Sequence, residues 1–155
     1  MANPRNVIFH DGIGYRALTM KVDGVTISAY SDQVANGSAS AGLAVGLVNG
    51  SADTVQLVSD GEAVFGRLDR VDADGFCTVQ IEGQCYLPAG ASATLVDGSK
   101  IVGAVGAASA KGYIRSAAAP AGTYAQAAAT DGANGKHSII DKTTATRVSV
   151  MLGQA

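Results

Sequence analysis

Residues 64–87 read Val64-Phe-Gly-Arg-Leu-Asp-Arg-Val-Asp-Ala-Asp-Gly-Phe-Cys-Thr-Val-Gln-Ile-Glu-Gly-Gln-Cys-Tyr-Leu87, and the spacing of their side chains decides the fold class. From Phe76 onward the odd positions carry Cys77, Val79, Ile81, Gly83, Cys85 and Leu87, and the even ones Phe76, Thr78, Gln80, Glu82, Gln84 and Tyr86. A period of two puts alternate side chains on opposite faces, so the stretch predicts a strand with a buried odd face and an even face that is wet or at an interface. Residues 64–72 make a second plausible strand. Between them Ala73-Asp74-Gly75 supplies residues that accept positive φ at a tight reversal, and a β-hairpin is expected.

Outward from this hairpin the turn signals recur. Asp-Gly or Asn-Gly pairs begin at positions 11, 23, 36, 49, 60 and 74, about every 11 to 14 residues, with further pairs at 97, 131 and 134. Short strands punctuated at such intervals indicate an all-β sandwich or barrel. Residues 18–22 and 25–30 flank Asp23-Gly24 and predict another hairpin. Strands are also expected at 43–48, 54–58, 111–116 and 146–152, the last because Val148, Val150 and Leu152 alternate with Arg147, Ser149 and Met151. Residues 102–135 are dominated by Ala, Gly and Ser, which predicts a loop-rich excursion with short strands. The expected fold is therefore all-β, a small antiparallel β-sandwich or barrel with Ala/Gly-rich loops. Residues 1–18 form an extended N-terminal arm in this reading, and 19–155 a single β domain.

The composition narrows the function classes. A chain of 155 residues suits one domain with a real core, which must be built from small side chains because only 5% of residues are aromatic. A net charge of −2 with scattered Lys and Arg argues against a nucleic-acid partner, which calls for a basic face. No apolar run approaches the roughly 18 to 20 residues that span a bilayer, so no membrane partner is expected. Met1-Ala-Asn-Pro-Arg-Asn6 lacks a secretory pattern, and synthesis in a host cytoplasm is the expectation. Cys77 and Cys85, eight residues apart on one face of a strand, lie about 26 Å from each other at strand rise. A disulfide needs Cα atoms within about 7 Å, so both are expected to be buried thiols.

Candidate chemistry is sparse. Gly12-x-Gly14-x-x-Ala17 matches a dinucleotide fingerprint only formally, because Asp23-Gly24 turns the chain before a helix of useful length ends. His10 beside Asp11, and His137 beside Ser138 and near Asp141, are neighbours in sequence, but neighbours on a strand point to opposite faces. Asp69, Asp72 and Asp74 crowd the hairpin turn without continuing to the bidentate Glu of a calcium loop. No catalytic residue, no metal site and no cofactor is assigned. Short strands, tight turns and small side chains that lose little entropy on burial against a partner favour assembly instead.

The quoted Val64–Gly83 stretch, together with Leu43-Ala-Val-Gly-Leu-Val48, Leu87-Pro-Ala-Gly90, Asp97-Gly-Ser-Lys-Ile-Val-Gly103 and Gly112-Tyr-Ile-Arg115, resembles tailed-phage capsid decoration (cement) proteins over about half of the chain. The resemblance implies a non-enzymatic β-rich homo-oligomer, a trimer rather than a dimer, on the outer surface of the expanded head, where it clamps neighbouring subunits of its partner, the major capsid protein. It also implies an N-terminal arm lying on the capsid. By position and residue type, Arg5, Phe9, Tyr15 and Arg16 are the expected capsid-binding anchors of that arm. Phe76, Gln80, Gln84 and Tyr86, on the even face of the hairpin's second strand, are the expected oligomer interface. The alternatives are another virion component, of the tail or of head completion, and a small β-fold hydrolase.

Overall fold

The computed structural model describes residues 15–118, 137–144 and 147–153. The expected hairpin is present. Strand β4 (Gly66–Val71) runs antiparallel to β5 (Phe76–Pro88), with Arg67 opposite Gln80, Leu68 opposite Val79 and Val71 opposite Cys77. The reversal is closed by Phe76 O accepting from Asp72 N at 2.8 Å and by the Asp74 carboxylate accepting from Phe76 N at 3.1 Å, while Gly75 takes φ +82°. One residue of β4 is extra. Leu68 pairs with Val79 and Arg70 with Thr78, so Asp69 forms a bulge, which is why Leu68 and Val71 both face the core at a spacing of three.

The first part of β5 is a stave of a closed barrel. Strand β1 (Arg16–Val22) pairs antiparallel with β5, Met20 opposite Cys77, and parallel with β3 (Thr54–Leu57), Lys21 opposite Thr54. Strand β2 (Ala44–Leu47) pairs antiparallel with both β3 and β4. The circuit β1-β3-β2-β4-β5 returns to β1, so none of the five staves is left as an edge. Because β1 begins at Arg16, residues 16–18 belong to the barrel and not to an arm.

The hairpin expected around Asp23-Gly24 does not form, because the Asp23 side chain offers the backbone a better alternative. Its carboxylate accepts from Thr26 N at 2.8 Å, from Thr26 Oγ1 at 2.7 Å and from Ile27 N at 3.1 Å, curling residues 23–27 into a loop that buries Ile27. Thr26 Oγ1 in turn accepts from Leu57 N at 2.8 Å, which fastens the loop to β3. Burial alone raises the Asp23 pKa, but the hydrogen bonds from Thr26 and Ile27 outweigh it and hold the carboxyl below its ordinary value of 3.8. Asp23→Ala is expected to cost about 1–2 kcal/mol at pH 7. A lowered folded-state pKa gives a contribution that is present above the unfolded value and lost as the pH falls through the folded one. The difference in urea midpoint between wild type and variant should therefore shrink below about pH 4.

Beyond the barrel β5 changes neighbours. From Gly83 to Pro88 it pairs with β9 (Arg147–Leu152), which pairs with β8 (Ser138–Thr144) at the far side of the sheet. In the described part of the Ala/Gly-rich stretch, β6 (Ile101–Ala104) pairs antiparallel with β7 (Tyr113–Ser116), the strand expected at 111–116. Glycine is what permits this ribbon to dock. A Cβ on Gly103 would stand 2.1 Å from Ser59 O, and Gly103 N donates to Glu62 O at 2.8 Å.

The β6–β7 tip contains two successive non-glycine residues with left-handed backbone, Ala108 at φ +53° and Ser109 at φ +62°. They are the central pair of a mirror-type turn in which Ala110 N donates to Ala107 O at 3.2 Å. A left-handed residue other than glycine costs about 1–2 kcal/mol, so Ser109→Gly is expected to raise stability by about 1 kcal/mol, read as a higher urea midpoint with unchanged slope.

Two cores result. Met20, Val45, Val55, Leu57, Leu68, Val71, Cys77 and Val79 fill the barrel, and Val58, Val64, Cys85, Leu87, Ile101, Ile114, Val148 and Val150 fill the space between the β5-β9-β8 sheet and the ribbon. Both cysteines are free and buried, as expected, and burial pushes the Cys77 thiol up to about 11 and the Cys85 thiol up to about 12.

Candidate functional site

Among the described residues, those singled out in the sequence do not form one patch. Arg5, Phe9 and His10 lie outside the described residues, as do Gly12 and Gly14 of the glycine motif; Ala17, its last member, is in strand β1. Tyr15 is half exposed, and its hydroxyl donates to Asp69 Oδ2 at 2.7 Å. Partial burial, that bond and the Asp69 charge raise its pKa to about 12 against the opposing charge of Arg67. Arg16, the first residue of β1, is exposed and pairs with Glu82 at 3.4 Å.

The expected interface residues are divided along β5. Phe76 is exposed beside the hairpin turn, and Tyr86 is exposed ten residues away, about 33 Å at strand rise. Gln80 is only 3% exposed, which removes it from any outer face. Its Nε2 folds back onto its own strand and donates to Glu82 O at 3.0 Å and to Gln84 O at 3.3 Å, where β5 passes from its barrel partners to β9. Gln84 is half-buried and donates through Nε2 to Ser149 Oγ at 2.6 Å. A charged side chain in place of Gln80 would therefore perturb the core rather than probe an interface.

His137 is buried, 4% exposed, and its Nδ1 accepts from Gly153 N at 3.0 Å, a bond that ties the start of β8 to the end of β9. The acidic turn does not converge. Asp69 is held by Arg67 and Tyr15, Asp72 by Arg70 Nε at 2.7 Å, and Asp74 by the backbone of Phe76. Among the described residues no three His, Cys, Asp or Glu side chains gather as metal ligands.

The structure brings together residues that the sequence does not connect. A recess of about 230 Å³ opens between β4, β5 and β9, bounded by Gly42, Leu43, Arg67, Tyr86, Pro88 and Arg147. Arg67 projects from the third position before the Leu68–Arg70 bulge ends, and one of its Nη atoms bonds the bulged Asp69. Its Nη2 lies 3.8 Å from where a Cβ on Gly42 would stand, and its Nε is buried without a hydrogen-bond partner among the described residues. Opposite, the Arg147 guanidinium lies 4.4 Å from the centroid of the Tyr86 ring, a cation–π contact across the β5–β9 ladder.

A second surface feature is apolar. Val22 stands opposite Val55, Val55 opposite Leu47, and Lys21 opposite Phe76, so Leu47 and Phe76 share one rim of the barrel with the loop that carries Val25. All three are exposed, Val25 at 88%. A depression of about 270 Å³ lies beside Leu47, lined also by Gly46, Gln56 and Phe65. Compared with protein-family models, curated proteins and solved structures, the chain finds no match.

Proposed function

We propose that the protein is a structural, non-enzymatic component of a virion that docks onto the outer surface of an expanded phage head and clamps neighbouring major capsid subunits. The observation that carries this reading is the exposed apolar rim of a closed barrel: Val25, Leu47 and Phe76 stand on strands and a hydrogen-bonded loop that are already ordered, so burying them against a partner costs little conformational entropy. The resemblance of residues 64–83, which fold as β4 and β5, to capsid decoration proteins supplies the kind of surface. Association with copies of itself, as a trimer, belongs to the same reading.

The test is direct. Purified protein is expected to add stoichiometrically to expanded heads lacking their decoration protein and to raise the temperature at which those heads open. Val25→Asp with Phe76→Asp is expected to weaken addition at least tenfold while leaving the melting curve of the free protein in place. Failure of the wild type to bind any head form would end the proposal, and unchanged binding by the double variant would remove the rim from it.

A further inference from the structure

We propose that Asn49 is a site of spontaneous deamidation, at which the backbone nitrogen of Gly50 attacks the side-chain carbonyl carbon, and that the fold spares Asn36, its twin in the sequence. Both residues stand in the tripeptide Asn-Gly-Ser, at 36–38 and at 49–51, so the reacting atoms and the residues that follow are the same. Only the fold separates them.

The chemistry sets what each site must provide. The Gly amide gives its proton to a solvent base, its nitrogen bonds to the Asn Cγ, and the Cγ–Nδ2 bond breaks with loss of ammonia. A five-membered succinimide remains. Water opens it by cutting the ring nitrogen from Cγ, which gives aspartate, or from the backbone carbonyl carbon, which gives isoaspartate with the chain running through the side chain. The attacking amide must therefore be free of a hydrogen bond, reachable by water and able to swing toward the side chain.

Gly50 meets these demands. Residues 48–51 form a turn closed by Ser51 N donating to Val48 O at 3.0 Å, with Asn49 and Gly50 as its central pair and Gly50 at φ +79°. The Gly50 N–H takes no part in that bond and has no acceptor among the described residues. Asn49 and Gly50 are both exposed, and nothing stands within 4 Å of where a Cβ on Gly50 would be. A turn tip so sparsely packed moves locally without disturbing the strands it joins.

Gly37 does not meet them. Its N–H already donates to Val34 O at 3.0 Å, and its carbonyl accepts from Ser31 N at 2.8 Å. A Cβ here would stand 2.0 Å from Val71 O and 3.0 Å from Tyr30 Cδ2, so this backbone is pressed between β4 and the Tyr30 ring. Asn36 itself is exposed, at φ +59°, but the nucleophile beside it is held. Ring closure at Asn36 requires the loop to open first, and the rate falls in proportion to the small fraction of time it spends open. Conversion at Asn49 adds one negative charge to a chain of net charge −2, two residues from Leu47 on the apolar rim. None of this depends on what the rim binds.

The experiment incubates the full-length protein at mildly alkaline pH, folded in buffer and, in parallel, unfolded in guanidinium chloride. Chymotryptic peptides holding Asn36 and Asn49 are weighed at intervals for the mass gain that marks loss of the amide, and isoaspartate is read by electron-transfer fragmentation. Asn134-Gly135, outside the described residues, falls in a separate peptide. In the folded protein the Asn49 peptide is expected to convert at least about tenfold faster than the Asn36 peptide, with isoaspartate among its products, and unfolding is expected to bring the two within about a factor of three. Equal rates in the folded state, faster conversion at Asn36, no conversion at Asn49 while the unfolded chain converts, or aspartate without isoaspartate would overturn the proposal. A tenfold gap that persists in guanidinium would overturn it as well, by assigning the difference to the flanking sequence and not to the fold.

Discussion

Gly66→Val is expected to lower the stability of the protein by about 3 kcal/mol or more, at the upper end of what overpacking does. Gly66 opens β4 and lies against β5 so closely that a Cβ would stand 2.3 Å from Gln80 O and 2.8 Å from Val79 Cγ1. Neither neighbour can yield easily. Gln80 O is backbone of a stave hydrogen-bonded on both sides, and Val79 is fully buried in the barrel. The comparison that isolates the effect is Gly50→Ala, where nothing stands within 4 Å but φ is +79°. There only the left-handed backbone is penalised, by about 1–2 kcal/mol. Urea midpoints decide the matter: if the two substitutions cost the same, the close contact between β4 and β5 at this register is wrong.

Leu87→Ala is expected to cost about 3 kcal/mol, the transfer of the lost methyl groups plus the cavity they leave. Leu87 is fully buried opposite Val148 in the second core. The more telling result concerns cooperativity. Cys77 and Val79, which line the barrel, and Cys85 and Leu87, which line the second core, belong to one strand. Loosening one core withdraws support from the other through that strand, so the variant should still unfold in a single transition by circular dichroism and by thiol exposure. Early labelling of Cys85 with Cys77 still protected would show two independent units and sink the prediction.

The parts of this fold that were legible in the sequence are those governed by neighbouring residues. Alternation over Phe76–Leu87 and the Asp-Gly turn before it give the hairpin, because strand period and turn chemistry are local. The same logic finds β2, β3, β7 and β9 to within a residue or two. It fails at Asp23, where a side chain satisfies the backbone and no second strand is needed. It fails at β6 and β8, whose runs carry little alternation, although each pairs with the next strand along the chain.

The candidate site was less legible, for the same physical reason. Gln80 looked outward on the assumption that β5 keeps one set of neighbours throughout, whereas the strand trades β1 and β4 for β9 near Gly83. Arg67 and Arg147 border one recess because two ladders meet on β5, and nothing in the residues around either arginine encodes that register. The bulge at Asp69 did leave a trace. Leu68 and Val71 are three apart, a spacing that a regular strand cannot bury on one side.

Barrel closure through β1 has a kinetic consequence. Arg16 meets Glu82, so β1, the first of the described strands, completes its ladder only after more than sixty further residues have been made. Pairings so distant in sequence fold on the slow side, in milliseconds to seconds for comparable β topologies. From the moment β5 is made until β1 is seated, the chain offers an unfilled slot between β3 and β5, and the β1 of a sister chain fits that slot as well as its own. At high local concentration, as when many copies are translated together, exchange of β1 between chains is the misassembly this topology invites.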